Sequence, residues 1–167
     1  MVLNAEFTYD NLNETETKYS KRTRFANSDK FSEEYTSDYS TYSRQRAITN
    51  YTALNIYGSY AKSFANNNFS LLLGYNQESN HYDYLKAETS NMINDDMPSI
   101  SQSVGVQKAY DKFTEYTVMG FFGRLNYDFA NRYLLELNGR YDASSKFPSG
   151  SRWGFFPSLS VGWRVME

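Results

Sequence analysis

The 167-residue sequence predicts an all-β chain of about six antiparallel, up-and-down strands. Three observations carry that reading. Apolar and polar residues alternate with period two through the regular segments, and no stripe of helical period is sustained. Aromatic residues make up 18% of a chain that is polar on average, so many rings must be buried or anchored. Long polar connections alternate with short turns along the chain.

The first strand is expected over Leu3 to Asp10, where Leu3, Ala5, Phe7 and Tyr9 alternate with Asn4, Glu6, Thr8 and Asp10. Residues 11–49, rich in Ser, Thr, Asn, Tyr and charge, read as a long connection whose flanks extend strands. A second strand runs from Asn50 to Ala61, and residues 62–68 form a turn ending in three Asn, which tolerate left-handed backbone. A third strand, Phe69 to Gln77, places Phe69, Leu71, Leu73 and Tyr75 on one side. Residues 78–113 are again polar. Met119, Phe121, Leu125 and Tyr127 then mark a fourth strand, closed by a turn at 128–132. The fifth strand sets Tyr133, Leu135, Leu137 and Tyr141 against Glu136, Asn138, Arg140 and Asp142. After a loop at 143–153, the last strand alternates Phe155, Leu159, Val161, Trp163 and Val165 with Ser158, Ser160, Gly162 and Arg164.

Composition removes several function classes. A net charge of -2 leaves no basic field for gripping phosphate backbones, which argues against nucleic-acid binding. With no Cys, disulfide frameworks and thiolate metal sites are excluded. No apolar run approaches the roughly 20 residues of a membrane-spanning helix, whereas a membrane β-barrel stays open. The first residues lack a basic, apolar and small-residue leader pattern, so the chain is either cytoplasmic or an internal piece of a longer exported one.

The same alternation describes a soluble β-sandwich with one wet face. Loop lengths, aromatics near strand ends (Tyr127, Tyr133, Tyr141, Trp153) and charges confined to one parity favour a transmembrane barrel. Ten residues from Tyr133 to Asp142 span roughly 33 Å, or roughly 23 Å of height at 45° tilt, close to a 25 Å apolar band. Leu, Val, Phe and Met then face lipid, where a charge costs on the order of 2–4 kcal/mol at midplane. Arg124, Asn126, Glu136, Asn138, Arg140 and Asp142 are the lumen-facing candidates. Short turns at 62–68 and 128–132 are expected on the periplasmic side, and the long loops at about 11–49, 78–113 and 143–153 outside. Six strands cannot close the smallest common barrel of eight, so the chain is expected to be part of a larger one.

Residues 123–164 carry a denser signal. Gly123-Arg124-Leu125-Asn126-Tyr127-Asp128, Asn131-Arg132-Tyr133-Leu134-Leu135, Arg140-Tyr141-Asp142-Ala143-Ser144-Ser145-Lys146-Phe147 and Arg152-Trp153-Gly154-Phe155-Phe156-Pro157-Ser158-Leu159-Ser160-Val161-Gly162-Trp163-Arg164 resemble the barrel signature of SusC/RagA-type TonB-linked outer-membrane transporters. Ala143 stands where that family usually has Gly, a change confined to a turn. Residues 50–77 resemble its preceding hairpin more loosely. The resemblance implies a 22-stranded barrel in the bacterial outer membrane, surrounded by lipid, with an N-terminal plug, energy supplied through TonB, and a SusD-like surface lipoprotein as partner. It implies import of glycans or peptides in Bacteroidetes-like bacteria. No plug, TonB box or signal peptide is read within these 167 residues, so wall and outer loops are expected here.

Other chemistry finds little footing. His81, the only histidine, rules out a histidine cluster and reads as a solvated loop residue. Asn94, Asp95 and Asp96 lack the spaced ligands of an EF-hand loop and read as an acidic turn, so no metal is expected. Glu136 and Asp142 lie about 20 Å apart along a strand, too far for paired-carboxylate hydrolysis. No catalytic residues, cofactor or enzyme activity are expected. Tyr35, Tyr39, Tyr42, Tyr82, Tyr84 and Tyr110 are candidates for stacking on a loop-bound ligand; the plainer account is that they extend the strands and pack on one another. A passive porin or adhesin barrel and a soluble β-sandwich binding module remain the alternative readings.

Overall fold

The computed structural model describes residues 1–26, 33–35 and 39–165, with 24–26 and 33–35 described by their backbone alone. Its strands are β1 (Val2–Ser20), β2 (Arg24–Ala26), β3 (Glu33–Tyr35), β4 (Thr41–Phe64), β5 (Asn67–Ser90), β6 (Lys108–Phe129), β7 (Tyr133–Ser144) and β8 (Trp153–Trp163). One sheet has the order β1-β4-β5-β6-β7-β8, an up-and-down meander apart from the β2–β3 excursion, which forms its own antiparallel pair. The all-β expectation holds.

The strands are longer than the alternation marks. The connection read at 11–49 narrows because β1 runs to Ser20 and β4 starts at Thr41, and that read at 78–113 narrows to the residues between Ser90 and Lys108. Likewise the turn read at 62–68 reduces to Ala65 and Asn66, that at 128–132 to residues 130–132, and the loop at 143–153 to residues 145–152. The physical reason is that period two is written only where one face of a strand meets an apolar environment. Where both faces are polar, a strand carries no such contrast.

The chain divides into two compact units, Met1–Asp10 with Asn50–His81 and Glu115–Glu167, and Asn11–Thr49 with Tyr82–Thr114. In the first unit the β6–β7 ladder pairs Arg124 with Asn138 and Leu125 with Leu137, and the β7–β8 ladder pairs Leu137 with Leu159 and Asn138 with Ser158. Polar therefore meets polar and apolar meets apolar across neighbouring strands. The apolar face carries Ile56, Tyr60, Leu73, Phe121, Leu137, Leu159 and Val161, all exposed. Among the described residues, the buried hydrophobic side chains are Ala53 and Ala143. A sandwich would bury that face under a second sheet; among the described residues no second sheet covers it.

Two short turns share one end of this unit. Ala65 (φ 48°), Ala130 (φ 53°) and Asn131 (φ 53°) adopt left-handed backbone that lets the chain reverse, a conformation Asn accepts more readily than Ala. The Ala130 amide donates to the Asn66 carbonyl at 2.6 Å, and the Arg164 amide to the Arg132 carbonyl at 2.9 Å. Tyr127 donates its hydroxyl to the Asn67 side chain. At the other end of β7, the Thr117 amide donates to Ser145 Oγ at 2.8 Å and the Ser145 amide returns a bond to the Thr117 carbonyl.

In the second unit, residues 91–107 fold back on themselves. Met92 bridges Ser103, the Ile93 amide donates to the Gln102 carbonyl, and Asn91 turns with φ 57°. Buried Ser40 anchors the turn: its hydroxyl accepts from the Met92 amide and its carbonyl from the Asn91 amide.

Candidate functional site

Two polar surfaces, one in each unit, contain the residues singled out from the sequence. In the first unit β6 and β7 set the frame. Arg124 Nε donates to Asn138 Oδ1 at 2.8 Å, and Asn138 Nδ2 donates to Glu136 Oε1 at 2.7 Å, so one amide relays between a cation and an anion. Arg140 holds Asp142 by two bonds of 3.1 and 3.0 Å and reaches Asn76 on β5 at 3.4 Å. Asn126 donates to Ser70, also on β5. All six lumen-facing candidates thus share one face of the sheet. These pairs are half exposed and contribute little to stability singly; their consequence is a continuous polar surface opposite the apolar one.

Sequence reading missed the rings on that polar face. Phe122 lies over Gly74, where a Cβ would stand 2.2 Å from the ring, and the Arg140 guanidinium sits 5.6 Å from the Phe122 centroid. The glycine leaves room that the ring of a neighbouring strand fills. A glycine facing an out-of-pattern Phe on an adjacent strand was the available signal. Toward the short turns a hollow of ≈ 660 Å³ is lined by Ser70, Asn126, Asp128, Glu136 and Ser160 among others. There Asp128 Oδ1 is buried with no hydrogen-bond partner among the described residues.

The apolar face carries aromatic rows at both ends. Phe129, Tyr133 and Trp163 stack in sequence at 6.4 and 6.5 Å, and Tyr141 stacks on Trp153 at 4.5 Å near the opposite end. Along β7, Tyr133 and Tyr141 are separated by about 26 Å of strand, roughly 19–22 Å of height at the tilt of a membrane barrel.

In the second unit Tyr84 donates to Gln45 Oε1 at 3.0 Å, Gln45 donates to Glu16, and Lys18 pairs with Glu16 at 3.0 Å. Lys86 pairs with Glu88 at 2.6 Å, and Tyr110 donates to the same carboxylate at 3.2 Å. The bond from Lys86 holds the Glu88 carboxyl below its ordinary range, and Glu88 in turn raises the Lys86 ammonium. Tyr39 and Tyr42 line a hollow of ≈ 670 Å³ together with Lys18, Tyr19, Glu88 and Lys108. Of the loop tyrosines, the structure brings Tyr39 and Tyr42 to this hollow and Tyr110 onto Glu88. Tyr84 is tied to Gln45 and Tyr82 is half-buried on β5. The side chain of Tyr35 lies outside the described residues.

Tyr19, unmarked by any sequence pattern, is the pivot of this unit. Its hydroxyl donates to Asp95 Oδ1 at 2.9 Å and contacts the Asp95 carbonyl at 3.0 Å, while its ring meets Tyr42 at 6.4 Å. Desolvation first, then the bond to Asp95, pushes the phenol up to about 12. Lys21 pairs with Asp96 at 2.9 Å, so the acidic turn is engaged by protein groups.

A single sheet with one exposed apolar face, aromatic rows at both of its ends and a polar opposite face is barrel-wall geometry. The family model for TonB dependent receptor-like β-barrels matches residues 2–167.

The chain belongs to this family.

TonB-dependent receptors of this kind are outer-membrane β-barrel proteins, and the relatives of this chain are receptors rather than enzymes. The TonB-dependent receptor SusC of Bacteroides thetaiotaomicron is 36% identical over 113 residues, covering 68% of this chain and 11% of the relative. TonB-dependent receptor P3 of Formosa agariphila is 28% identical over 113 residues, covering 66% of the chain and 11% of that protein. The solved RagAB peptide transporter superposes with a TM-score of 0.81 at 19% identity, over 94% of this chain and 17% of the matched one. The chain thus spans a small part of its relatives, and is a barrel segment of a SusC/RagA-type TonB-dependent receptor.

Proposed function

We propose that this segment forms wall and outer loops of a TonB-dependent importer in the outer membrane of its bacterium. The observation that carries the proposal is the open apolar face of the first unit, set between aromatic rows and backed by a charged face. The apolar face meets lipid. Arg124, Asn126, Glu136, Asn138, Arg140 and Asp142 face the lumen, where the plug expected of the family meets polar groups such as the orphaned Asp128 oxygen. Short turns at Ala65–Asn66 and residues 130–132 are periplasmic, and the long connections at about 11–49, 78–113 and 143–153 are extracellular. In a lipid bilayer β1 and β8, the outermost strands of the sheet, require further strands beyond them, which a larger barrel of the 22-stranded type supplies.

Similarity to SusC and to the RagAB peptide transporter supports a surface lipoprotein of the SusD kind as partner, with glycans or peptides as cargo. Uptake of a labelled oligomer by cells carrying the full-length protein tests the reading. Import that stops when TonB is deleted is the expected result. Import that continues without TonB makes the barrel a passive porin and overturns it.

A further inference from the structure

We propose that the hollow in the second unit is a subsite for a carboxylate-bearing oligomer, with Lys108 as its cationic anchor. This rests on the importer reading, because only a ligand-handling barrel has use for such a subsite.

The hollow is large enough to matter. Its ≈ 670 Å³ falls within the roughly 300–1,000 Å³ of small-ligand sites. Strands β1, β4, β5 and β6 each contribute to its wall, so the lining side chains other than Tyr39 and Val106 stand on regular backbone.

Charge decides what it takes. Among the described lining residues Glu88 is the one carboxylate, and it is already engaged by Lys86 at 2.6 Å and by the Tyr110 hydroxyl at 3.2 Å. Lys18, also on the wall, is engaged by Glu16 at 3.0 Å. Two carboxylates are thus matched by two lysines. Lys108 remains, exposed on the wall and in no ion pair among the described residues. Its field reaches Glu88 and lowers that group's proton affinity further, but Lys86 holds the short contact. Asp95, on the Tyr19 hydroxyl, brings a third carboxylate to the edge of the hollow, so what distinguishes Lys108 is that it has no carboxylate partner among the described residues, beside Thr41, Ser43 and Ser90, whose hydroxyls can donate to oxygen anions, and the half-exposed Tyr39 ring. An anionic oligomer gains an ion pair there without displacing one, whereas a cationic ligand meets Lys108 first.

Acidic peptides and uronate oligosaccharides both present a carboxylate beside a chain of polar groups. Binding of four probes to the full-length receptor in detergent or nanodiscs separates them: an acidic tetrapeptide, its amidated counterpart, oligogalacturonate and its methyl ester. Wild type binds at least one acidic probe more tightly than its neutral counterpart, and the preferred pair identifies the source. Lys108→Glu weakens that probe by about tenfold or more and leaves its neutral counterpart within about twofold, while Lys108→Arg retains the preference. Equal binding of acidic and neutral probes by wild type, binding of neither, or an unchanged preference in Lys108→Glu overturns the proposal. Lys108→Gln, which removes the charge without reversing it, guards against a folding defect and must show a smaller loss in the same direction. Uptake that persists without TonB defeats the importer reading separately, since the purified receptor's charge preference is read without it.

Discussion

At the scale of single residues, Tyr19 and Lys108 illustrate what a side chain contributes when its partner lies far away in sequence. Tyr19 binds Asp95 across seventy-six positions, and although the acidic turn stands out in the sequence, no local pattern marks Tyr19 or pairs the two. The direction of its pKa shift sets a pH window. A folded-state value raised from the ordinary 10.0 to about 12 favours the protonated hydroxyl, so the stability it contributes is fully present below pH 10.0 and is lost as pH rises toward 12. The protection of the amides in residues 91–107, measured against their intrinsic exchange rate at each pH, is therefore expected to hold up to that range and to fall through it. Tyr19→Phe removes the donor and leaves the Asp95 carboxylate without it, so the same amides exchange faster at neutral pH, with little change in β7. Equal protection of residues 91–107 in wild type and variant would show that the contact does not hold the turn.

The strand is the scale at which the sequence was most legible. β7 could be read almost residue by residue, because Leu135 and Leu137 alternate with Glu136 and Asn138 and the ladders to β6 and β8 preserve that alternation. All six lumen-facing candidates came to one face for the same reason. The ends of β1, β4, β5 and β6 were not legible. Glu16, Gln45, Tyr84 and Glu88 lie on strands with polar residues on both faces, and such strands write no period into the chain. Tyrosines 39 and 42 were visible as residue types, yet the lysines on the wall of their hollow were visible only in three dimensions. The alternation of β7 makes a sharp prediction. Leu137→Arg places a charge on the apolar face and is expected to cost about 2–4 kcal/mol of folding free energy in lipid, whereas Asn138→Ala, which breaks the Arg124–Glu136 relay, costs about 1 kcal/mol. Denaturant titration of the full-length barrel in lipid vesicles reads both, and equal costs would contradict the assigned faces.

At the scale of the molecule, the central claim is that the open apolar face of the first unit is a lipid face. On that claim the polar face becomes the lumen and the two short turns become periplasmic. On the proposed reading, hydrophobic burial, which in a soluble domain is supplied by a second layer, is supplied by the bilayer. The sequence carried this in the pairing of a polar composition with many rings, though it could not say how far the strands continue past the apolar band. The most direct test is fluorescence quenching by brominated lipid of probes placed singly at positions 135, 136, 137 and 138 of the full-length receptor. Strong quenching at 135 and 137 with weak quenching at 136 and 138 is the predicted result; uniform quenching, or its absence at all four, would contradict a lipid-facing wall.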